Sequence, residues 1–291
     1  MPSLRTYSDI YNEVAGRLDN NSIDAAIKRW VNTAYKNLAM STNHPLHIKK
    51  KSFSTVAATD TYDLPVDFRF MGVVSTSQRR LVSEKHEELL YKQDAEARSG
   101  DPEEYTIVTS DTTPVSYTTG TVAVTSGGRT LTGSGTTFTS NVSDGDLITI
   151  GSNSYNASKV VSDTSIILVQ KSFTTEAGST YSVDKVNMPQ IILYPNPGSV
   201  ATVKYNYYKR IFDMQHDDDT PELPEEFNEG IVQGALGMGY QYDEETNQAQ
   251  MAFTAYQNFI DKWKMNAVDI RESDQNSGIE PMGYPRQGND F

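Results

Sequence analysis

Cysteine is absent from the 291 residues, histidine occurs four times, and no hydrophobic run is long. The missing thiols exclude disulfides, thiolate nucleophiles and thiolate metal sites together. No apolar stretch approaches the 18 or so residues of a membrane span. The opening Met1-Pro2-Ser3-Leu4-Arg5-Thr6 lacks the apolar segment of a secretory signal, so the expectation is a chain folded in a reducing cytoplasm. Basic residues are outnumbered, 25 against 38 acidic, for a net charge of −13. That balance argues against a sequence-independent nucleic-acid clamp, which needs clustered Lys and Arg. It argues equally against an anionic membrane surface as partner. Hydrophobic residues are only 37 %, against about 45–50 % in typical globular chains. A chain this long could bury roughly 70–75 % of its unfolded surface as one body. The apolar shortfall therefore predicts much loop, much surface or a large partner interface.

What is present falls into four zones: a mixed one to about 110, a Ser/Thr/Gly/Val-rich one over 111–185, a mixed one over 186–271, and a Gly/Pro/Asn-rich tail over 272–291. In the first, Thr6 or Ser8 can cap a helix with Tyr7, Ile10, Tyr11, Val14 and Leu18 on one stripe. A second helix, capped at Ser22, carries Ile27, Trp30, Val31, Ala34 and Leu38. Alternation over Ile48 to Val56 predicts a strand with Lys49 and Lys51 on one side and Ile48, Phe53 and Val56 inward. Tyr62-Asp63-Leu64-Pro65-Val66-Asp67-Phe68 reads as an extended residue before proline and then a turn. Short strands at Phe70 to Val74 and Tyr105 to Val108 flank a helix carrying Leu89 and Leu90.

The second zone has no helical periodicity. Gly120 to Ser126 alternates with period two, and β-branched runs follow at Leu147 to Ile150, Tyr155 to Val161 and Ser165 to Val169, with Gly-rich turns between them. They predict a small β-sandwich or barrel of about six strands. In the third zone Gln190 to Tyr194 and Val200 to Tyr208 read as a hairpin about Pro195-Asn196-Pro197-Gly198. Two helices follow. The acidic run Asp217 to Glu226 is expected at the positive end of the first. That helix holds Gly230, Gly234, Gly237 and Gly239, each costing about 1 kcal/mol relative to alanine. Their repetition predicts close approach of another backbone, which makes these four the candidates for a subunit interface. The expected fold class is α+β: a mostly α-helical bundle core (1–110 and 186–271) with a small sheet or hairpin, an inserted all-β domain (111–185), and an extended C-terminal arm (272–291).

Candidate chemistry is sparse. His44 and His47 flank Pro45 at a helix end, which spoils helical ligand spacing. His216-Asp217-Asp218-Asp219 resembles a metal cluster on paper but reads as a solvated loop. Glu87/Glu88 and Glu225/Glu226 are adjacent and so diverge on a helix. No catalytic, cofactor-binding or metal site is expected, and no enzyme. Lys49-Lys50-Lys51 and Arg79-Arg80 read as solvated faces. Tyr205 to Arg210 could stack bases, although its alternate tyrosines suit a sheet face. The tail is too polar to fold alone.

Taken in order, these elements resemble a family: the head-to-tail adaptor, or connector, proteins of short-tailed bacteriophages. The resemblance rests on the paired N-terminal helices ending in Trp30-Val31-Asn32-Thr33-Ala34-Tyr35, on Tyr62 to Phe68, on Ile192-Leu193-Tyr194-Pro195-Asn196-Pro197, and on Leu223-Pro224-Glu225-Glu226-Phe227 followed by two helices. The zone around Gly133-Ser134-Gly135-Thr136-Thr137-Phe138 and Asp144-Gly145-Asp146 resembles small β modules of phage structural proteins and departs from the plain adaptor pattern. The resemblance implies a virion neck protein assembled in the host cytoplasm. It implies a homo-oligomeric ring of twelve copies between the portal protein and a tail or nozzle protein. DNA would pass through the lumen without specific binding, and no membrane would be involved. The tail becomes the portal-contact segment, with Ile279, Met282, Tyr284, Pro285 and Phe291 as anchors. Two alternatives stand beside this: a glycan- or receptor-binding module using Tyr117, Tyr155 and Tyr181 as stacking platforms, and a peptidoglycan hydrolase using an Asp/Glu pair.

Overall fold

Thr6 starts the first helix, α1 (Tyr7–Leu18), with a capping box: its hydroxyl accepts from Asp9 N at 3.3 Å while Asp9 Oδ2 accepts from Thr6 N at 2.9 Å. The structure is a computed structural model and describes residues 5–19, 24–96, 98–109, 115–185 and 189–276. The Ser22 cap and the anchors Ile279, Met282, Tyr284, Pro285 and Phe291 lie outside the described residues.

Four helices share one core. The α1 stripe of Ile10 and Val14 meets Ile27, Val31 and Leu38 of α2 (Asp24–Ala39) and Ile231 and Ala235 of α5 (Asn228–Tyr242). The long helix α6 (Thr246–Asn276) closes it with Tyr256 and fully buried Trp263. Tyr256 Oη donates to Ala34 O at 2.7 Å, so the one polar atom this ring brings into the core is satisfied. Helix α6 also takes in 272–276, the first part of the expected arm.

The glycines of α5 explain how close these helices lie. A Cβ on Gly234 would fall 2.8 Å from Ala34 Cβ, and one on Gly230 would fall 2.8 Å from Phe259 Cβ. Gly237 would meet Phe253 at 2.7 Å and Gly239 would meet Leu18 at 2.5 Å. The close approach expected of Gly230, Gly234, Gly237 and Gly239 is therefore to helices of the same chain. All four are buried there, which corrects their reading as subunit-interface residues.

The expectation of a mostly helical core with a small sheet is overturned. The fold is 34 % helical and 33 % strand, with several multi-stranded sheets. Outside 111–185, one sheet orders β1 (Ile48–Ser54), β17 (Thr202–Lys209) and β3 (Phe68–Ser75). A second orders β2 (Thr61–Asp63), β15 (Pro189–Tyr194), β6 (Glu104–Thr109) and β4 (Val82–Ser83). They enclose a second core of Leu64, Met71, Val74, Ile191, Leu193 and Tyr207. On the far side of β15, Ile192 and Tyr194 pack on Leu89 of α3 (His86–Glu96). The expected hairpin is also corrected. β15 pairs with β2 and β6, and β17 with β1 and β3, so the two runs belong to different sheets. Pro195 to Pro197 carries the chain from one to the other: Asn196–Pro197 pairs in parallel with Ser99–Gly100.

Residues 115–185 form an eight-stranded antiparallel sheet. Its order is Glu176–Ser179, Thr121–Val124, Thr130–Ser134, Ser165–Leu168, Asn153–Ser162, Leu147–Ile150, Tyr181–Lys185, Val115–Tyr117. The long strand Asn153–Ser162 carries two register shifts, which bend it so that it serves both halves of the sheet. The curled sheet encloses Leu131, Phe138, Ile148, Tyr155, Ile166 and Val183. Gly133 gives way to Phe138, since a Cβ there would lie 2.8 Å from the ring. The chain enters and leaves through paired strands, Thr109 opposite Pro189 on one side and Val115 opposite Lys185 on the other.

Candidate functional site

Strict alternation decides where the lysines of β1 go. Lys49, Lys51 and Phe53 lie opposite Tyr207, Tyr205 and Val203, three core residues, so all three occupy the buried side of the sheet. This corrects the placing of Lys49 and Lys51 away from Phe53. Their stems run beside the tyrosines and their ammonium groups meet carboxylates. Lys49 Nζ donates to Asp67 Oδ2 at 2.8 Å and to Ser158 O at 3.3 Å. Lys51 Nζ lies 2.5 Å from Asp144 Oδ2. Asp67 is 1 % exposed, and its second oxygen accepts from Tyr207 Oη at 2.7 Å. Burial, and then the nearby Asp67 carboxylate, push the Tyr207 hydroxyl far above its ordinary value, so it remains a donor.

Two motifs widely separated in sequence thus meet. Asp67 closes the Tyr62 to Phe68 segment and Asp144 opens Asp144-Gly145-Asp146. Val66 N donates to Asp144 O at 3.0 Å, bonding the two backbones. Gly145 stands at φ +94°, and a Cβ there would lie 2.3 Å from Asp67 N, so both conformation and space call for glycine.

A second clamp holds the other flank of the eight-stranded sheet. Asp219, 3 % exposed, accepts from Gln215 N at 2.9 Å and His216 N at 2.8 Å through one oxygen. Its other oxygen accepts from Arg129 Nη2 at 3.1 Å. Lys171 pairs with Asp218 at 3.3 Å, and the Phe173 and His216 rings sit 5.9 Å apart. The same loop receives α1: Tyr7 N donates to Asp219 O, Ser8 N to Asp217 O, and Tyr11 Oη to Asp217 Oδ1. The acidic run therefore serves the start of α1 and the β sheet, not the positive end of α5. Of that run, Glu225 and Glu226 stand just before it, in a 3-10 turn, and Glu229 follows in the first turn of α5.

The remaining candidates resolve into packing. His44 is buried and stacks on Trp263 with centroids 3.6 Å apart, its Nε2 3.1 Å from Asn266 Oδ1. His47 lies 3.2 Å from Glu222 O through Nε2, and burial holds its pKa below the ordinary value. Among the described residues no group of three or more His, Asp and Glu could hold a metal ion. No described helix is long and apolar enough to cross a membrane. Tyr155 and Tyr181 are buried; Phe173 N donates to Tyr155 Oη, and Tyr181 Oη donates to Thr119 O. Tyr117 is half-buried, and its hydroxyl accepts from Thr137 N. The burial of Tyr155 and Tyr181 makes those two rings structural, which corrects their reading as stacking platforms. Tyr205 and Tyr207 likewise face the core.

Two ion-paired seams binding a curled β sheet onto a mixed helix-and-sheet body describe a protein built to hold shape, and the comparisons agree. The family model described as SU10 adaptor protein matches residues 5–144 and 121–278. Together the matches run through nearly the whole chain, and they overlap inside the eight-stranded sheet. The chain belongs to this family, whose members are bacteriophage head-to-tail adaptors, structural proteins of the virion. A search of curated proteins gives no match.

Proposed function

We propose that the chain forms a ring, of twelve copies, between the portal protein and a tail or nozzle protein at the neck of the virion, continuing the DNA channel. The observation that carries this reading is the adaptor-family match over residues 5–278. Two further features support it. A net charge of −13 per copy multiplies around a ring and disfavours retention of DNA during passage. A low apolar content suits a subunit whose burial is completed by neighbours. We assign 272–291 to the portal contact, with Ile279, Met282, Tyr284, Pro285 and Phe291 as its anchors. The discontinuous unit 1–110 with 186–271 would form the adaptor body, and 111–185 a unit inserted in it. Gel filtration of the chain with the portal of the same virus tests this. Co-elution of the full chain, lost when 272–291 is removed, is the expected result. A full chain that never co-elutes with the portal overturns it.

A further inference from the structure

The three strands β1, β17 and β3 contain no Asp or Glu, against six cations: Lys49, Lys50, Lys51, Arg69, Lys204 and Lys209. Four of these are engaged. Lys49 and Lys51 pair across the seam, Lys209 pairs with Glu222, and Arg69 donates to Met40 O at 2.6 Å. Lys50 and Lys204 stand on the opposite, outward face and have no carboxylate partner among the described residues. Lys50 is opposite Asn206 and Ser52 is opposite Lys204, so the two lysines are diagonal neighbours, about 7–8 Å apart in such a pairing. Like charges held this close disfavour each other until an anion covers them. A shallow concavity of about 590 Å³ lies over them, and β3 leaves Phe70 54 % and Val73 39 % exposed at the edge of its sheet. Open edge strands with apolar side chains are ordinarily covered.

The corner between α5 and α6 is the reverse. Asp243, Glu244 and Glu245 are all exposed and have no ion pair among the described residues, and Tyr242 beside them is 62 % exposed. Among the described residues no ion pair joins the two surfaces within one chain. His47, immediately before β1, packs at Trp263 of α6, whereas the acidic corner precedes Thr246. At 1.5 Å per residue the intervening helix is about 25 Å long, well beyond the screening distance of about 8 Å at physiological salt.

Accordingly, we propose that the outward face of the β1–β17–β3 sheet docks the acidic α5–α6 corner of a second copy of this chain. Phe70 and Val73 would cover Tyr242 while Lys50 and Lys204 meet Asp243 and Glu245. Because the two patches differ, the contact is heterologous and repeats head to tail, the kind of contact that closes into a ring. This proposal rests on the ring reading and specifies its interface.

The cysteine-free sequence allows a direct test. Lys204→Cys and Glu245→Cys are made singly and together in the full chain, mixed with the portal, and treated with a short bis-maleimide. The double variant is expected to give a ladder of covalent oligomers, and each single variant none. A cross-linked dimer from either single variant would mean like faces meet, and overturns the proposal. No ladder from a double variant whose mass shows a ring overturns this interface and leaves the ring standing. No ring in the unsubstituted chain overturns both. Loss of duplex-DNA retention in Lys50→Glu/Lys204→Glu would assign the face to nucleic acid instead and also overturns it.

Discussion

Asp67 holds two donors at once, Lys49 and Tyr207, at 1 % exposure. Removing Asp67 leaves the buried Tyr207 hydroxyl without its acceptor and Lys49, 27 % exposed, without its partner, at about 1–3 kcal/mol. Asp67→Ala is expected to lower stability by that order in urea unfolding. Lys50→Ala, on the exposed side of the same strand, should stay within about 0.5 kcal/mol. Equal losses would show that Asp67 does not anchor the seam. His47 adds a pH dependence. Its native pKa is depressed by burial, so the unfolded chain takes up the proton first as pH falls. Its contribution is complete above the ordinary histidine value and is lost as pH falls through that value toward the lowered native one. The melting temperature should therefore decline over this window, and decline less in His47→Gln. An unchanged slope would contradict the assignment. Both motifs of the seam were visible in the sequence, but not that Asp67 and Asp144 meet, since long-range pairing leaves no local periodicity. The charge of Lys49 and Lys51 argues for solvent, but the period of two that puts them with Phe53 prevails, because their long stems carry the ammonium groups to Asp67 and Asp144.

Helix α5 shows why element-level signals read more readily than their targets. The glycine spacing announced close approach, but nothing local said whether the neighbour was the same chain or another. Gly234→Ala would place a methyl 2.8 Å from Ala34 Cβ and is expected to cost about 1–3 kcal/mol despite better helix propensity. Gly16→Ala in α1, with open space around it, should stabilise by about 0.5–1 kcal/mol. Opposite signs in chemical denaturation check the pair, and a stabilising Gly234→Ala would refute the packing argument. The long amphipathic helices were legible from their stripes. The two-sheet part of the body leaves little trace in the sequence because strands such as Thr61–Asp63 and Val82–Ser83 are too short to carry a pattern. Pro195 to Gly198 carries the residues of a turn, but Asn196–Pro197 pairs with Ser99–Gly100 and the segment joins two sheets instead of two strands of one.

At the scale of the whole molecule, charge and composition acquire locations. The acidic surplus coexists with one acid-free sheet, and much of the polar composition lies in the curled β sheet over 115–185. A ring of such chains is expected to release duplex DNA at about 0.15 M salt, because binding there depends on clustered cations releasing counterions. Filter retention of DNA by the isolated ring at that salt would contradict the proposed channel. The central claim is tested most directly by native mass spectrometry of the full chain mixed with the portal of the same virus. Twelve additions of 32.4 kDa, about 389 kDa in all, are the predicted result, and a portal that gains no chains would contradict the account.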